Sequence, residues 1–155
     1  MFFTTFPSPL GELLLTSDGT ALTALRFGSG DILPQTRRCD DLPVFVAARD
    51  WLEGYFAGSP EPVTFPLSPA GTDFQRRVWV LLQAVPYGET TTYGTIAKQL
   101  GPQMSAQAVG QAVGKNPIAI VIPCHRVLGA GGQLTGYAWG IDTKTWLLRH
   151  EEETK

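Results

Sequence analysis

The sequence predicts an α+β fold in two parts, a small antiparallel sheet with one helix and then a group of short helices followed by a hairpin pattern. Three strand-like segments occupy the first thirty residues, with glycine- and proline-containing turns between them. In the second half, two short helical patterns are joined by a four-residue break, and a glycine-rich hairpin pattern follows. A segment at 66–71 that contains two prolines and a glycine separates the halves. We therefore predict domains at 1–70 and 71–155.

The composition is that of a soluble globular protein, with 43% apolar and 17% charged residues among 155. This length is enough to bury a core without disulfides or metals. The apolar runs are too short to span a membrane, and the first residues lack the basic start of a signal peptide. The two cysteines, Cys39 and Cys124, lie in dissimilar surroundings, and no Cys-x-x-Cys pair or histidine cluster offers metal-ligand spacing. These features predict no metal site, no membrane partner and a cytoplasmic location.

Charge is distributed unevenly along the chain, although the net charge is only −2. Residues 1–70 contain four basic and eight acidic residues, whereas residues 71–150 contain seven basic and three acidic ones. Such asymmetry is a weak indication that the basic half binds a polyanion.

The first half follows the pattern of a β-meander and a helix. The predicted elements are strands at 2–6, 12–16, 21–27 and 63–65, a loop at 28–42, and a helix at 44–56. The helix is predicted because Phe45, Ala48, Leu52 and Phe56 recur at spacings of three and four.

The second half begins with a helix-start signal. Thr72 and Gln75 have the spacing of a capping box, in which each side chain binds the other residue's backbone N–H. Helices are predicted at 73–85, 92–100 and 106–113, the last capped by Ser105. The second and third form either a DNA-binding helix-turn-helix or an αα-hairpin that packs for structural reasons. Alanine and glycine dominate the third helix. Small residues allow close packing against another helix and equally allow the helix to enter a narrow groove of a partner.

The candidate reactive residues follow an apolar run. Residues 118–122 are all apolar, which predicts a fully buried strand that ends at Pro123. Cys124 and His125 come directly after it, either as a nucleophile with its base or as a core thiol beside an imidazole. Composition and periodicity leave both interpretations open.

A hairpin, or wing, is predicted where residues 127–128 and 134–135 flank a glycine-rich tip. Asp142 is then predicted to cap a final helix. One face of that helix carries Trp146, Leu147 and His150. For Glu152 and Glu153 at its end we predict a solvated acidic run.

The string Pro123-Cys124-His125-Arg126-Val127, with Asn116-Pro117 upstream, resembles the signature of O6-alkylguanine-DNA alkyltransferases, also called methylated-DNA–protein-cysteine methyltransferases. Further segments match in order: Phe74-Gln75-x-x-Val78-Trp79, Pro86-Tyr87-Gly88-Glu89-Thr90, Gly136-Tyr137 and Trp146-Leu147-Leu148-x-x-Glu151. The resemblance covers about residues 71–151, and the first seventy residues match only in their layout. It favours the nucleophile over the core thiol for Cys124.

The resemblance implies a ribonuclease H-like α/β roll followed by a winged helix-turn-helix. It also implies a monomer that binds double-stranded DNA in the minor groove and flips an alkylated guanine out of the duplex. The alkyl group would pass once and irreversibly from guanine O6 to Cys124, without metal or cofactor, and O4-methylthymine would be a second substrate.

The resemblance also implies a role for each site residue. Cys124 would be the nucleophile, His125 would take its proton through a water, and Glu151 would orient His125. Asn116 would link the helix-turn-helix to the site, and the Tyr93 hydroxyl would give the leaving guanine a proton. The pocket for the base would be formed by Tyr137, Val127, Ala138 and Trp139. The DNA-binding residues would be Ser105, Gln107, Ala108, Gly110, Lys115 and Arg126.

Two positions depart from the family pattern. Gln107 stands where an arginine fills the gap left by the flipped base, and it lacks the charge and stacking plane of a guanidinium. Trp139 stands where glycine is frequent, which predicts a narrow entrance and better transfer of methyl than of benzyl groups. The alternatives are a lesion-sensing winged-helix protein, a class that usually has tryptophan in place of Cys124, and a Cys-His hydrolase.

Overall fold

The computed structural model describes residues 1–28 and 35–155, which form two compact units. One unit contains Met1–Ala70 and Pro117–Ala119, and the other contains Gly71–Asn116 and Ile120–Lys155. Within the described ranges, no helix has both the length and the apolar character needed to cross a membrane.

The first unit is built on a four-stranded sheet with the order β3-β2-β1-β4. Strands β1 (Phe2–Ser8), β2 (Gly11–Ser17) and β3 (Leu22–Phe27) are antiparallel neighbours, which confirms the predicted meander. The two-residue strand β4 (Arg37–Arg38) pairs in parallel with β1 and lies within the predicted loop at 28–42. Two residues carry too little periodicity to indicate a strand. Positions 29–34 of that loop lie outside the described residues.

Helix α1 (Pro43–Phe56) packs against β1 and β2 and covers the core of this unit. Its apolar face, spaced as predicted, includes the fully buried side chains of Phe45, Ala48 and Leu52. The core is completed by Leu13, Leu15, Leu22, Leu25 and Tyr55.

The predicted strand at 63–65 is wrong, because pairing occurs two residues later. Leu67 forms a single bridge with Leu22, whose N–H donates to the Pro66 carbonyl at 2.9 Å. A proline has no N–H for a ladder, so the pairing at Pro66 does not extend into a strand.

The predicted strand at 118–122 is also wrong, although its burial is confirmed. Ile118 forms one bridge with Leu25, after which the chain turns. Ile120 has a φ of +68°, a left-handed conformation that is rare for a β-branched residue. An unbroken apolar run indicates burial, but it does not distinguish a buried strand from a buried turn.

Three helices form the first part of the second unit. They are α2 (Asp73–Gln83), α3 (Tyr93–Leu100) and α4 (Ala106–Gly114), and α4 packs against both of the others. The capping box between Thr72 and Gln75 is present, and the Ser105 hydroxyl caps α4 by accepting from the Ala108 N–H at 3.1 Å. Trp79 is buried among these helices and donates from its indole to the Ala112 carbonyl at 2.9 Å.

The remaining elements correct two predictions. Strand β6 (Val127–Leu128) pairs in parallel with β5 (Thr91–Thr92) and not with residues 134–135, so the predicted hairpin is wrong. The glycine-rich tip forms a short turn closed by the Gly129 N–H, which donates to the Gln133 carbonyl at 2.8 Å. The last helix, α5 (Ile141–Thr154), has Gly140 as its N-cap, and Asp142 lies in its first turn without a capping hydrogen bond.

Candidate active site

Cys124 begins a 3₁₀ turn that immediately follows the turn at Ile120. The Ile122 carbonyl accepts hydrogen bonds from the Cys124 N–H at 2.7 Å and from Asn116 Nδ2 at 2.8 Å. Because α4 ends just before Asn116, this amide connects the end of the helix to the backbone that carries the thiol. Cys124 is 6% exposed and Asn116 8%, so the thiol is held in a defined position.

His125, the residue after Cys124, forms a fully buried pair with Glu151. The distance from His125 Nε2 to Glu151 Oε2 is 2.5 Å. The second ring nitrogen, His125 Nδ1, is buried and has no hydrogen-bond partner among the residues that the structure describes. If the imidazole is neutral and Nε2 donates to the carboxylate, Nδ1 carries the free lone pair of a base.

Arg126 completes this cluster and does not lie on the surface. Its Nε donates to Glu151 Oε1 at 2.8 Å, and its Nη1 donates to the Val85 carbonyl at 2.7 Å. The Arg126 side chain is only 9% exposed, and its guanidinium is held by these bonds in the cluster. The predicted DNA contact of Arg126 stays a prediction. The signature motif does not show which way the side chain points.

The buried groups perturb one another's proton affinities. Burial raises the pKa of the Cys124 thiol, whereas the side chains of Asn116 and Tyr137 favour the thiolate. Burial also lowers the pKa of His125, against the opposing influence of Glu151. For Glu151, burial would raise the pKa, but hydrogen bonds from His125 and Arg126 outweigh it and lower the pKa to about 2. At neutral pH the site thus holds a neutral imidazole beside a carboxylate.

Cys124 faces a small cavity with a volume of about 40 Å³. Tyr137, Ala138 and Trp139, three of the predicted pocket residues, line it. The fourth, Val127, is fully buried, and its carbonyl accepts from Lys144 Nζ at 2.6 Å. The remaining lining residues are Tyr93, Gly110, Val113, Gly114, Asn116 and Gly136. A space of this size holds about three waters, so a purine enters only if the lining moves.

A wider groove of about 640 Å³ lies along the start of α4. Tyr93 and Gly110 line both this groove and the small cavity, so they form the boundary between the two spaces. Gln107 lines the groove and is exposed, whereas Ala108 is half-buried and lines neither space. The other predicted DNA-binding residues, Ser105 and Lys115, are exposed at the two ends of the same helix.

The site shows no arrangement of metal ligands. Within residues 1–28 and 35–155, no group of three or more His, Cys, Asp or Glu side chains is placed to hold a metal ion.

Both parts of the chain match one protein family. Residues 73–153 match the DNA-binding domain of 6-O-methylguanine DNA methyltransferase, and residues 1–69 match its ribonuclease-like domain. The chain belongs to this family. The family, the enzyme class of methylated-DNA–protein-cysteine methyltransferase and the fold class predicted from the sequence are thereby confirmed.

Individual relatives of this family are similar over nearly their whole length. The methylated-DNA–protein-cysteine methyltransferase of Methanosarcina acetivorans is 45% identical, covering 97% of this chain and 98% of the relative. That of Mycobacterium tuberculosis is 48% identical, covering 97% and 92%. The crystal structure of Mycobacterium tuberculosis OGT in complex with DNA has a TM-score of 0.90 at 45% identity, covering 99% of this chain and 94% of that one.

Two polar residues near the methyltransferase site, Lys144 buried and Thr135 half-buried, are not among the predicted site residues. Lys144 is 0% exposed, and burial lowers the pKa of its ammonium group. Thr135 donates from its hydroxyl to Tyr93 Oη at 3.0 Å. A lysine in an otherwise amphipathic helix and a threonine after a glycine-rich turn are ordinary surface residues in a sequence, so no local pattern indicated either one.

Proposed function

We propose that this protein repairs DNA by transferring the alkyl group of O6-alkylguanine to Cys124, once per molecule. The observation that carries the proposal is a cysteine at the wall of a cavity, followed by a histidine in a buried pair with Glu151. A nucleophile, a base and a group that orients the base are the three parts that covalent catalysis requires. All the groups in this scheme belong to residues 71–155, the proposed alkyltransferase domain, whereas residues 1–70 form the proposed N-terminal domain.

Activation of the thiol is the first step. The Cys124 proton passes through a bridging water to His125 Nδ1, the nitrogen that faces away from Glu151. The imidazolium that forms is stabilised by the carboxylate of Glu151, which is ionised because its pKa is about 2. The thiolate is stabilised by the side chains of Asn116 and Tyr137.

Transfer then proceeds as a displacement at the alkyl carbon. The Cys124 sulfur forms a bond to that carbon while the carbon–O6 bond breaks and its electron pair goes to the guanine. Tyr93, whose ring borders both the groove and the cavity, gives a proton to the leaving base and regains one from solvent. His125 returns its proton to solvent, so the net products are a thioether and an unmodified guanine. A thioether does not hydrolyse, so the protein acts once.

Base flipping from double-stranded DNA would use both the groove along α4 and the adjoining cavity at Cys124. We propose that α4 enters the minor groove, since its small residues allow a close approach, and that one copy of the protein suffices. The base would pass across the boundary formed by Tyr93 and Gly110, and Gln107 would occupy the vacated position in the duplex. Unstacking costs a few kcal/mol, which the contacts of α4 have to offset. O4-methylthymine, a smaller base with the same O-methyl group, is a second proposed substrate.

Trp139 lines the cavity and is expected to limit the size of the adduct. The wild-type protein should accept a methyl group faster than a benzyl group, because the indole takes up space that a larger adduct needs. Trp139→Gly should shift the ratio of the two single-turnover rates toward benzyl by about tenfold. Leu134→Ala, in the same loop but outside the cavity lining, serves as the control. A wild-type protein that prefers O6-benzylguanine would contradict this expectation.

The decisive experiment is stoichiometric. After incubation with duplex DNA containing O6-methylguanine, intact-protein mass spectrometry should show a gain of one methyl group, which peptide mapping should place on Cys124. Cys39→Ser, which removes the other cysteine of the chain, should leave the transfer unchanged. Cys124→Ser should abolish it. A lesion sensor would bind the DNA without any mass gain, and a Cys-His hydrolase would show turnover beyond one equivalent with ester substrates.

A further inference from the structure

Thr135 lies beside the hydroxyl that serves the leaving guanine. Its Oγ1 donates to Tyr93 Oη at 3.0 Å, joining the loop after β6 to the start of α3. The bond spans 42 positions in the sequence, so it depends on the fold and not on local geometry. Both side chains are half-buried, which shields the bond from competing water.

The backbone of Thr135 is held by the buried lysine. Lys144 Nζ donates to the Val127 carbonyl at 2.6 Å and lies 3.5 Å from the Thr135 carbonyl. One ammonium group therefore fixes the strand after the active-site turn and the loop that carries Thr135. With the ammonium fully buried, movement of either carbonyl would leave a buried donor without an acceptor.

The side chain of Thr135 is held from the other side by the glycine-rich turn. A Cβ atom at Gly129 would lie 2.7 Å from Thr135 Cγ2, which is closer than real Cβ contacts. Glycine at this position therefore allows the threonine methyl to pack against the backbone. Because threonine is branched at Cβ, fixing the position of the methyl group also fixes the position of Oγ1.

We propose that Thr135 is a positioning residue that sets the direction of the Tyr93 O–H bond toward the base; this rests on the proposed function. A phenol has one proton to donate and lone pairs to accept with. Since Thr135 supplies a donor, one Tyr93 lone pair is occupied and the phenol proton is left for the guanine. A hydroxyl that accepts one hydrogen bond is also polarised into a better donor for the next.

Thr135 takes no part in the making and breaking of bonds during alkyl transfer. The Tyr93 proton moves to the guanine as the carbon–O6 bond breaks, and the Thr135 proton stays on Thr135. The hydrogen bond from Thr135 orients the Tyr93 hydroxyl before transfer, and it stabilises the phenolate that develops as the Tyr93 proton leaves. Thr135 thus touches neither the thiol nor the substrate and acts only through Tyr93.

The first test compares Thr135→Val with Thr135→Ser. Valine keeps the branched shape but removes the donor, and the single-turnover rate of methyl transfer should fall about five- to tenfold. Serine keeps the hydroxyl and should stay within about threefold of the wild-type rate. An unchanged rate in Thr135→Val would overturn the proposal.

The second test separates positioning from general structural damage. In a Tyr93→Phe background there is no hydroxyl to orient, so adding Thr135→Val should change the rate by less than about twofold. Equal slowing of transfer by Thr135→Val in both backgrounds would overturn the assignment. In a Cys39→Ser background, alkylation of Cys124 by iodoacetamide releases no guanine, so Thr135→Val should leave that rate unaltered.

A wild-type protein that never methylates Cys124 would overturn both the proposed function and the role of Thr135. A wild-type protein that transfers methyl normally, together with a Thr135→Val variant of equal rate, would overturn only the role of Thr135.

Discussion

Glu151→Gln is expected to lower the free energy of unfolding by about 3 kcal/mol or more, since removing one partner of a buried ion pair leaves the other charge uncompensated. Glu151 is 1% exposed and accepts from His125, from the Arg126 guanidinium and from the Gly88 N–H at 3.1 Å. The amide keeps the shape of the carboxylate but turns one acceptor into a donor that faces other donors. Chemical denaturation followed by tryptophan fluorescence measures the loss.

Methyl transfer by the same variant should slow by at least about a hundredfold, because the imidazolium formed during thiol activation loses its counter-ion. The matched control is Glu152→Gln, the same chemical change one residue further along α5. Glu152 is exposed and its ion pair with Lys155, at 2.9 Å, lies on the surface, so less than about 1 kcal/mol is expected. Equal stability and equal rates for the two variants would contradict the role given to Glu151.

The pH dependence of stability provides an independent check on Glu151. Its pKa is about 2 in the folded protein and has an ordinary value of 4.5, so the unfolded chain binds its proton more readily. The stabilisation is therefore present above about pH 4.5 and is lost as the pH falls toward about 2. Glu151→Gln should lack this component of the acid transition, whereas Glu152→Gln should retain it.

Local patterns were sufficient to predict most of the secondary structure. The turns between β1, β2 and β3 contain glycine, proline or aspartate, and the starts of α2 and α4 have side-chain caps that depend on neighbouring residues alone. These signals act over a few positions, so a single sequence contains them in full. Family resemblance then indicated the cysteine, the histidine and the glutamate as candidate site residues, whose spacing along the chain alone does not indicate chemistry.

Local patterns were insufficient where contacts distant in sequence determine the structure. Ile120 has a left-handed φ in a turn that is flanked by the hydrogen bond from Asn116 to Ile122 and by the pairing of Ile118 with β3. Arg126 turns inward because Glu151 and the Val85 carbonyl, 25 and 41 positions away, bind it. Lys144 is buried with its ammonium group bound to the Val127 carbonyl, 17 positions away. For Arg126 and Lys144, the nearest partners that determine the side-chain direction lie 17 or more positions away along the chain.

Asn116→Ala is expected to lower both the stability and the rate of methyl transfer, because one amide supports both the backbone before Cys124 and the thiolate. Loss of its hydrogen bond to the buried Ile122 carbonyl should lower the free energy of unfolding by about 1–3 kcal/mol. A residue with strained backbone, here Ile120, persists only when its surroundings hold it, so loosening this segment should also displace the thiol. The single-turnover rate should fall about ten- to a hundredfold, as for the loss of a hydrogen bond to a charged group.

The reactivity of the Cys124 thiol tests whether the Asn116 amide stabilises the thiolate. In a Cys39→Ser background, the pH dependence of Cys124 alkylation by iodoacetamide should shift to higher pH in Asn116→Ala, because the amide no longer favours the thiolate against burial. Gln99→Ala, which removes an exposed amide from α3, should change neither the alkylation profile nor the stability. If Asn116→Ala kept the wild-type alkylation profile while losing stability, the amide would support only the backbone, and activation of the thiolate would have to come from Tyr137 and His125.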